Sequence, residues 1–334
     1  MSHVPSRHPP PPLPTLHDIR AAHDRIRPHI HRTPVLTCAA LDGLSGARLL
    51  FKAEPLQKGG AFKARGACNA VFSLDDVTAA GGVATQSSGN HGQALCYAAA
   101  RRGIPATVVM PRTAPRSKRD AVLGYGGRVI ACEPSNAARD ATLTRVAAET
   151  GVAVVHPYND VRVIAGQGTC AVELLQEAGS LDALVAPIGG GGLVSGCALA
   201  LAALSPATAV YAAEPANADD AHRSLKAGRL ISMDAPDTLA DGLRASMRDL
   251  TWAVVSRHVR DILLVTEDAI VAAMALLWQR LKIVVEPSAA VPLAAILARP
   301  DLFAGRRVGV ILTGGNVDLD ALPWTRAAPE EVAS

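Results

Sequence analysis

Short runs of apolar and β-branched residues alternate along this chain with longer stretches rich in alanine. Eight of these runs predict β-strands: “ARLLFKAE”, “GVATQS”, “ATVVMP”, “RVIAC”, “AVVHPY”, “ALVAPI”, “AVYAAEP” and “VGVILT”. Strands that alternate with helices are typical of α/β proteins, whose parallel sheets are covered by helices on both faces. The pattern therefore predicts an α/β fold with twisted, mostly parallel sheets.

Several predicted strands end directly in clusters of Gly, Ser or Asn. The strand “GVATQ” is followed by “SSGN”, and “ALVAPI” is followed by four glycines. Open α/β sheets bind their ligands outside the carboxyl ends of the strands. We therefore expect the functional site at these turns.

Composition places the chain among globular proteins and limits its partners. It has 334 residues, of which 49% are hydrophobic and 19% are charged, and its net charge is +3. This length favours two domains, and the small net charge gives no electrostatic reason to expect nucleic acid or a membrane as a partner. The longest apolar stretch is interrupted by Ser205 and Pro206, which predicts a helix followed by a strand and not a membrane span.

The cysteines and the first residues bear on the compartment. Six cysteines are scattered without a C-x-x-C pair, mostly in small apolar contexts, which predicts buried free thiols in a reducing compartment. Residues 1–14 contain a proline run and no apolar core of signal-peptide length, so we expect a disordered tail. These features predict a cytoplasmic protein.

The most specific local pattern is the glycine run Gly189, Gly190, Gly191 and Gly192, between an apolar strand and a helix of small residues. Consecutive glycines let several backbone N–H groups converge on one anion, and the positive end of the next helix favours negative charge. Neither the P-loop nor the G-x-G-x-x-G pattern fits, because positions 194 and 195 are Val and Ser. The run predicts a cradle for a small phosphorylated cofactor; the alternative is a tight turn that needs glycine only for its dihedral angles.

A lysine stands in an unusual place in “GGAFKARGACNAV”, residues 59–71. Lys63 follows a glycine-containing turn and precedes a helix-prone run. A lone lysine is in most cases a solvated surface cation. A phosphate cradle together with a lysine that can hold an aldehyde as a Schiff base, however, meets two requirements of pyridoxal 5′-phosphate.

Six motifs, in order, resemble those of the serine/threonine dehydratase and serine racemase branch of the fold-type II pyridoxal-phosphate enzymes. They are “GGAFKARGACNAV”, “SSGNHGQAL”, “VIAGQGT”, “GGGGLVSG”, “EPSAAV” and “LTGGNVDL”, and the resemblance covers nearly all of residues 15–324. It implies a two-domain, tryptophan synthase β-like fold that forms a homodimer and acts on a small amino acid. Residues 15–79 and 157–325 would form the large cofactor-binding domain, and residues 80–156 the small mobile domain.

The resemblance also assigns residues to the cofactor. Lys63 is implied as the Schiff-base lysine and as the base for the substrate α-proton, with Phe62 sheltering the ring. Asn90 would hydrogen-bond the ring 3′-oxygen, Gly189–Gly192 would hold the phosphate, and Thr313 would face the pyridine nitrogen. A neutral hydroxyl does not keep this nitrogen protonated as a carboxylate would, so the ring is a weaker electron sink, which favours prompt β-elimination.

The turn “SSGNHG” is implied as the substrate site. The hydroxyls of Ser87 and Ser88 and the backbone N–H groups would bind the substrate α-carboxylate, together with Gly89 and His91. The serines would alternatively cap a helix. Ser88 also stands where racemase-like members carry a serine that acts on the opposite face of the substrate from Lys63.

The stretch “AAEPANADDAH” resembles the divalent cation site of the racemase-like branch. Glu214, Ala218 and Asp220 would supply two carboxylates and a backbone carbonyl, which are hard oxygen ligands suited to Mg²⁺, or to Ca²⁺ or Mn²⁺. The alternative is a solvated acidic loop at the start of the next helix.

Two features favour a substrate with a second carboxylate. Arg139 matches an arginine that approaches dicarboxylate ligands in serine racemase-like enzymes, and a guanidinium suits a carboxylate. A surface charge on a helix is the alternative. Ala61 replaces the serine of the usual S-F-K motif, as in enzymes of the hydroxyaspartate type, so the resemblance to hydroxyaspartate dehydratases is favoured.

These features predict a pyridoxal-phosphate-dependent dehydratase, an ammonia-lyase that acts on a β-hydroxy amino acid. The best candidate substrate is 3-hydroxyaspartate, which would give iminosuccinate or oxaloacetate and ammonia; serine or threonine would give a 2-oxo acid and ammonia. The alternatives are a serine or aspartate racemase that uses Lys63 and Ser88, a non-catalytic regulatory protein that binds the cofactor, and, at the level of the fold, an NAD-dependent oxidoreductase.

Overall fold

The structure is a computed structural model that describes residues 12–87, 89–114, 116–234 and 236–325. Its strands are β1 Val35–Leu36, β2 Arg48–Ala53, β3 Val83–Gln86, β4 Ala106–Pro111, β5 Arg128–Cys132, β6 Ala153–Val154, β7 Ala183–Pro187, β8 Ala209–Pro215, β9 Asp261–Val265 and β10 Arg307–Leu312. Its helices are α1 Leu16–Ile26, α2 Ala39–Ser45, α3 Lys63–Phe72, α4 Asp76–Ala80, α5 Asn90–Arg102, α6 Arg116–Gly124, α7 Asn136–Thr150, α8 Val161–Ala178, α9 Gly192–Leu204, α10 Asp220–Ala227, α11 Asp249–His258, α12 Glu267–Leu276, α13 Pro287–Ala298 and α14 Pro300–Phe303.

Six strands form the larger sheet, in the order β1-β2-β10-β7-β8-β9. Strand β1 is antiparallel to β2, and all the other neighbours are parallel. Helices α12 and α13 cover one face, and α1, α8 and α9 cover the other. Burial on both faces explains why the central strands are continuous apolar runs, such as “ALVAP” in β7. The predicted α/β fold with mostly parallel sheets is confirmed.

Four parallel strands form the smaller sheet, in the order β5-β4-β3-β6. All of them lie within residues 83–154. Helices α3 and α5 pack together on one face of this sheet, and α7 packs on the other. The division into a large domain and an inserted small domain at residues 80–156 stays a prediction.

The structure contains all eight strands that the sequence pattern predicts and two that it does not, β1 and β9. Strand β1 has only two residues, too few for a periodic pattern. Strand β9 follows α11 after the two residues Val259 and Arg260, so no Gly, Pro or Asn separates the two elements. Both strands lie at edges of the larger sheet, where partial exposure weakens the apolar pattern.

Glycines bring helices α3, α8 and α9 into close contact. A Cβ on Gly166 would lie 2.7 Å from the carbonyl oxygen of Arg65, and a Cβ on Gly196 would overlap the carbonyl oxygen of Ile164. Only glycine permits such close approach of one backbone to another. The packing links α3, which begins with Lys63, through α8 to α9, which follows the glycine run.

An ionic network is buried beneath α3. Arg65 donates hydrogen bonds of 2.8–2.9 Å to the carboxylates of both Glu54 and Glu173. Glu173 also accepts a hydrogen bond of 2.8 Å from the fully buried Lys52. Two cations balance two carboxylates, and each charge has hydrogen-bond partners, as burial of charge requires. Because Arg65 lies two residues after Lys63, the network holds the start of α3 in place.

The structure describes all six cysteines and only the last part of the predicted N-terminal tail. Residues 1–11 of the predicted tail lie outside the described residues, whereas Leu13 packs against the core and Pro14 is buried. All six cysteines are free thiols, as predicted; five are buried and Cys38 is half-buried. Among the helices that the structure describes, none is long and apolar enough to cross a membrane.

Candidate active site

Lys63 is the first residue of α3 and lies at the carboxyl end of β10. The N–H group of Phe62 donates a hydrogen bond of 3.0 Å to the carbonyl oxygen of Thr313, which fixes the turn before the helix to the end of this strand. The amine of Lys63 donates a hydrogen bond of 2.9 Å to the carbonyl oxygen of Pro157. Two contacts thus fix the position of Lys63: the backbone before it is bonded to Thr313, and its side-chain amine is bonded to Pro157.

The surroundings of Lys63 favour its neutral form. Burial lowers the pKa of Lys63 from its ordinary value to about 8, although the charge of Glu286 acts in the opposite direction. The ring of Phe62 lies with its centroid 5.0 Å from the amine. At this pKa about a tenth of the amine is neutral at pH 7, far more than for an ordinary lysine, and this neutral form can act as a nucleophile or a general base.

The glycine run forms the turn between β7 and α9. Gly191 has a φ of +83°, in the left-handed region that favours glycine. A Cβ on Gly189 would lie 2.7 Å from the Cα atom of Leu243, and a Cβ on Gly190 would overlap the ring of Tyr158. The first N–H groups of α9 have no partners within the helix. The turn therefore has the close packing and the free donors of an anion site.

Thr313 follows β10 and presents a hydroxyl without a partner. The side chain is buried, and its Oγ1 makes no hydrogen bond to any described residue. A buried polar atom without a partner costs free energy. This position therefore fits a ligand that brings a polar atom, such as a pyridine nitrogen.

Asn90 begins α5 and is held by Glu286, the N-cap of α13, and by Asn316, which follows β10. Its amide nitrogen donates to both carboxylate oxygens of Glu286, at 3.0 and 3.1 Å, and its carbonyl oxygen accepts from Asn316 at 3.0 Å. Burial raises the pKa of Glu286 to about 7, and the charge of Asp241 acts in the same direction. Sequence reasoning assigns no role to Glu286, although the quoted motif “EPSAAV” begins with it.

The turn after β3 is the predicted substrate site. Ser88 lies outside the described residues, so its catalytic role stays a prediction. Gly89 is the N-cap of α5, and its N–H group donates to the hydroxyl of Ser87 at 3.3 Å. His91 is buried, and burial together with the charge of Lys63 holds the pKa of His91 well below its usual value, so its ring is neutral.

A loop after β6 carries two aromatic residues to which the sequence analysis assigns no role. The rings of His156 and Tyr158 meet edge to face with their centroids 4.6 Å apart. Burial lowers the pKa of His156 to about 4, and the charge of Arg248 contributes. Because Lys63 bonds to the carbonyl of Pro157 in this loop, and Tyr158 packs on the glycine turn, the loop joins the two predicted parts of the site.

Arg139 lies in the first turn of α7, on the smaller sheet. It is partly buried, and its Nε is buried without a hydrogen-bond partner among the described residues. The adjacent Asp140 accepts hydrogen bonds from Gln86, at the end of β3, and from Arg248 at 3.3 Å. Arg139 thus lies next to the residue that joins α7 to the end of β3 and to Arg248, and its contact with a substrate stays a prediction.

The predicted cation ligands lie together after β8. Glu214 and Asp220 are both buried, and Ala218 lies in the short turn between them. Burial raises the pKa of Glu214 to about 9 and also raises the pKa of Asp220. The Oδ2 atom of Asp220 has no partner among the described residues. Buried carboxylates whose surroundings oppose ionisation fit a site that a cation completes.

The cation site would nevertheless have few side-chain ligands. In the described part of the chain, no group of three or more His, Cys, Asp or Glu side chains could hold a metal ion. The predicted site offers two carboxylates and one backbone carbonyl, so water would have to supply the remaining ligands of Mg²⁺.

Three features fit pyridoxal phosphate. The amine of Lys63 suits an aldehyde, the turn Gly189–Gly192 suits a phosphate, and the unpaired hydroxyl of Thr313 suits a pyridine nitrogen. The backbone bond between Phe62 and Thr313 and the loop of Tyr158 connect all three.

Comparisons with known proteins agree with this fit. A β-hydroxyaspartate dehydratase of Paracoccus denitrificans is 60% identical over 312 residues, 93% of this chain and 99% of that protein. A serine racemase of Arabidopsis thaliana is 52% identical over 309 residues, 91% of this chain and 93% of that protein. The structure of maize serine racemase superposes with a TM-score of 0.89 at 45% identity, covering 92% of this chain and 94% of that one. The family described as “Pyridoxal-phosphate dependent enzyme” matches residues 26–314. The resemblance drawn from the six motifs is confirmed, and the chain belongs to the pyridoxal-phosphate dependent enzymes.

Proposed function

We propose that this protein is an ammonia-lyase that eliminates water from a β-hydroxy amino acid, with 3-hydroxyaspartate as its substrate. The observation that carries the reaction type is the Lys63 amine, which lies at the carboxyl end of β10 and donates a hydrogen bond of 2.9 Å to Pro157, in the loop that packs on the glycine turn. The choice of substrate is supported by the β-hydroxyaspartate dehydratase that is 60% identical over 93% of this chain.

Residues from both sheets would hold the cofactor. Lys63, Gly189–Gly192 and Thr313 would hold its aldehyde, phosphate and ring nitrogen, and Phe62 would lie against the ring. Asn90 would donate its side-chain amide to the ring oxygen in place of one of its two hydrogen bonds to Glu286. When bound, pyridoxal phosphate supplies an electron sink for the negative charge that develops at the substrate α-carbon.

The chain's own groups would then move the proton and bind the substrate. The neutral amine of Lys63 removes the α-proton as general base, and the carbonyl of Pro157 orients this amine. The N-terminus of α5, after Ser87 and Gly89, binds the α-carboxylate, because a helix N-terminus favours an anion. Loss of the β-hydroxyl as water leaves an enamine; its imine form hydrolyses to oxaloacetate and ammonia.

Turnover of the cofactor-loaded protein tests this function. The substrates are the 3-hydroxyaspartate stereoisomers, serine and threonine, and the readouts are ammonia, 2-oxo acid and chiral amino acid analysis. We expect one 3-hydroxyaspartate isomer to exceed serine in kcat/KM by about 100-fold or more, because a site built to bind a charged group rejects an analogue that lacks it. A preference for serine or threonine would refute the substrate assignment.

A racemase is the second candidate. The serine racemase of Arabidopsis thaliana, 52% identical, supports it, as does the predicted role of Ser88 opposite Lys63. Interconversion of D- and L-amino acids that is faster than ammonia release in the same assay would establish this candidate and reject the lyase.

We propose that Arg139 binds the second carboxylate of 3-hydroxyaspartate. Arg139→Met is expected to lower kcat/KM for 3-hydroxyaspartate by about 30-fold and for serine by less than about 3-fold, because a hydrogen bond to a charged group contributes about 1.5–3 kcal/mol. Arg145→Met is the control, since Arg145 lies on the same helix and pairs with Glu149 on the surface. Equal losses for the two substrates would contradict the assignment.

We propose that Glu214, Ala218 and Asp220 bind Mg²⁺, which stabilises the fold. Mg²⁺ at about 100 times its dissociation constant is expected to add about 2.7 kcal/mol of stability to the wild type. Glu214→Gln is expected to abolish this gain, whereas Asp219→Asn should keep it, since Asp219 pairs with Arg223. Thermal midpoints with Mg²⁺ or with a chelator measure the effect; an undiminished gain in Glu214→Gln would exclude the site.

Two further proposals come from the family resemblance. The small domain, residues 80–156, would close on the substrate and exclude water, and the chain would form a homodimer. The scattered cysteines and the small net charge support a third proposal, that the protein acts in the cytoplasm, without nucleic acid or membrane partners.

A further inference from the structure

Arg248 forms an ion pair between elements of the two sheets. It is the N-cap residue of α11, which packs beside α9 on the larger sheet, and its guanidinium lies 3.3 Å from the carboxylate of Asp140 in α7, on the smaller sheet. The side chain of Arg248 is 43% exposed, so a small ligand can reach it. A second ion pair, between Lys118 of α6 and Asp241, joins the same two parts of the chain.

Arg248 also lies beside the loop of Tyr158 in the candidate active site. Asn159 in this loop donates a hydrogen bond of 2.8 Å to the carboxylate of Asp249, the residue after Arg248. Burial raises the pKa of Tyr158, and the positive charge of Arg248 opposes this rise. The same charge contributes to the low pKa of His156. Arg248 is therefore beside the loop whose Pro157 carbonyl binds the catalytic amine.

The backbone fixes the position of Arg248 relative to the glycine turn. Its N–H group donates to the hydroxyl of Thr251 at 3.1 Å. Thr251 in turn packs on Gly191, where an added Cβ would lie 3.1 Å from the Thr251 Cβ. The guanidinium thus extends from a rigid helix terminus, and that terminus itself favours a nearby anion.

The carboxylate that pairs with Arg248 also accepts a hydrogen bond from another residue. Asp140 is the carboxylate paired with Arg248, and it is shared with the amide of Gln86. The next residue along α7, Arg139, has a buried Nε without a hydrogen-bond partner in the described chain. Among the described residues Arg248 therefore has one carboxylate partner, at 3.3 Å, and a guanidinium fork matches a carboxylate in both charge and shape.

We propose that Arg248 is a specificity-determining residue that binds the second carboxylate of a dicarboxylic amino acid, in exchange for Asp140. Asp140 holds the guanidinium in place when no dicarboxylate is bound. The inference rests on the proposed function for the identity of the substrate, and it adds to Arg139, on the smaller sheet, a recognition group from α11, beside the larger sheet.

Ligand binding to the cofactor-loaded protein tests the proposal without relying on turnover. Calorimetry compares succinate, which has two carboxylates, with propionate, which has one. Arg248→Met is expected to weaken succinate binding by about 30-fold and to leave propionate binding within about 2-fold, because one charge-assisted contact is removed. Arg248→Lys keeps the positive charge but lacks the planar guanidinium fork, so its affinity for succinate should lie between those of the wild type and Arg248→Met.

Two matched variants sharpen the test. Arg244→Met is the control, since Arg244 lies in the same loop but donates to the carbonyl oxygen of Thr238. It should bind succinate as the wild type does. Asp140→Asn removes the carboxylate that competes for Arg248 and should strengthen succinate binding, by about 3-fold or more.

Three results would overturn the proposal. The first is equal binding of succinate and propionate by the wild type, and the second is an equal loss of affinity for both ligands in Arg248→Met. The third is weaker retention of pyridoxal phosphate in Arg248→Met, while the preference for succinate over propionate stays unchanged. The last result would make Arg248 a phosphate ligand. Arg248-dependent binding of succinate by a protein that does not turn over 3-hydroxyaspartate would uphold the inference and refute only the proposed function.

Discussion

Lys63→Ala is expected to remove the absorbance of the lysine-linked cofactor and to lower turnover of every substrate by more than about 10⁴-fold, the upper range for loss of a general base. The physical reason is that one amine serves both purposes. Its pKa is lowered to about 8 by burial, and a hydrogen bond of 2.9 Å to the Pro157 carbonyl fixes its direction. Spectra and ammonia release of the purified variant, with added pyridoxal phosphate, measure both effects.

Two variants control this experiment. Lys58→Ala removes a lysine from the turn five residues earlier and should keep both the absorbance and the turnover. Lys63→Arg keeps a positive charge but supplies no neutral amine, because arginine does not lose its proton in proteins, and it should be as inactive as Lys63→Ala. Turnover that survives in Lys63→Ala would reject the assignment of Lys63 as the base.

The fold was predictable wherever burial leaves a continuous pattern. Central strands such as β7 and β10 are apolar along their length because helices cover both faces of the sheet. Edge strands β1 and β9 lack this signal. The close packing of α8 on α3 depends on what lies opposite Gly166, and a sequence pattern does not contain that information.

The candidate site was predictable as far as its motifs are local. The Lys63 turn, the glycine turn and Thr313 each have a recognisable neighbourhood in the sequence. The bond from Asn90 to Glu286 joins residues 196 positions apart, and the pair of Asp140 with Arg248 joins residues 108 positions apart. Pairs so far apart in the chain produce no periodic pattern in the sequence. Only the three-dimensional arrangement identifies them.

Glu173→Gln is expected to lower the free energy of unfolding by about 3–5 kcal/mol, the usual cost of breaking a buried ion pair. Glu173 balances the charge of Lys52 and shares Arg65 with Glu54. Without its charge, two buried cations face one carboxylate. A lower urea midpoint measures the loss, and Glu177→Gln, one turn later at an exposed position of the same helix, should cost about 1 kcal/mol or less.

Two further measurements, the pH dependence of stability and the stability of a double variant, distinguish the effect of charge from the effect of packing. Burial acts to raise the pKa of Glu173, but the contact with His23 at 3.6 Å and the hydrogen bonds from Arg65 outweigh it and hold this pKa below its usual range. A depressed carboxyl pKa stabilises the fold above the unfolded pKa of about 4.3, so the difference from Glu173→Gln should be full at neutral pH and shrink in acid. Lys52→Met combined with Glu173→Gln leaves the balanced pair of Arg65 and Glu54 and should regain part of the stability. A double variant less stable than Glu173→Gln would mean that packing around Lys52, and not charge balance, governs the stability beneath α3.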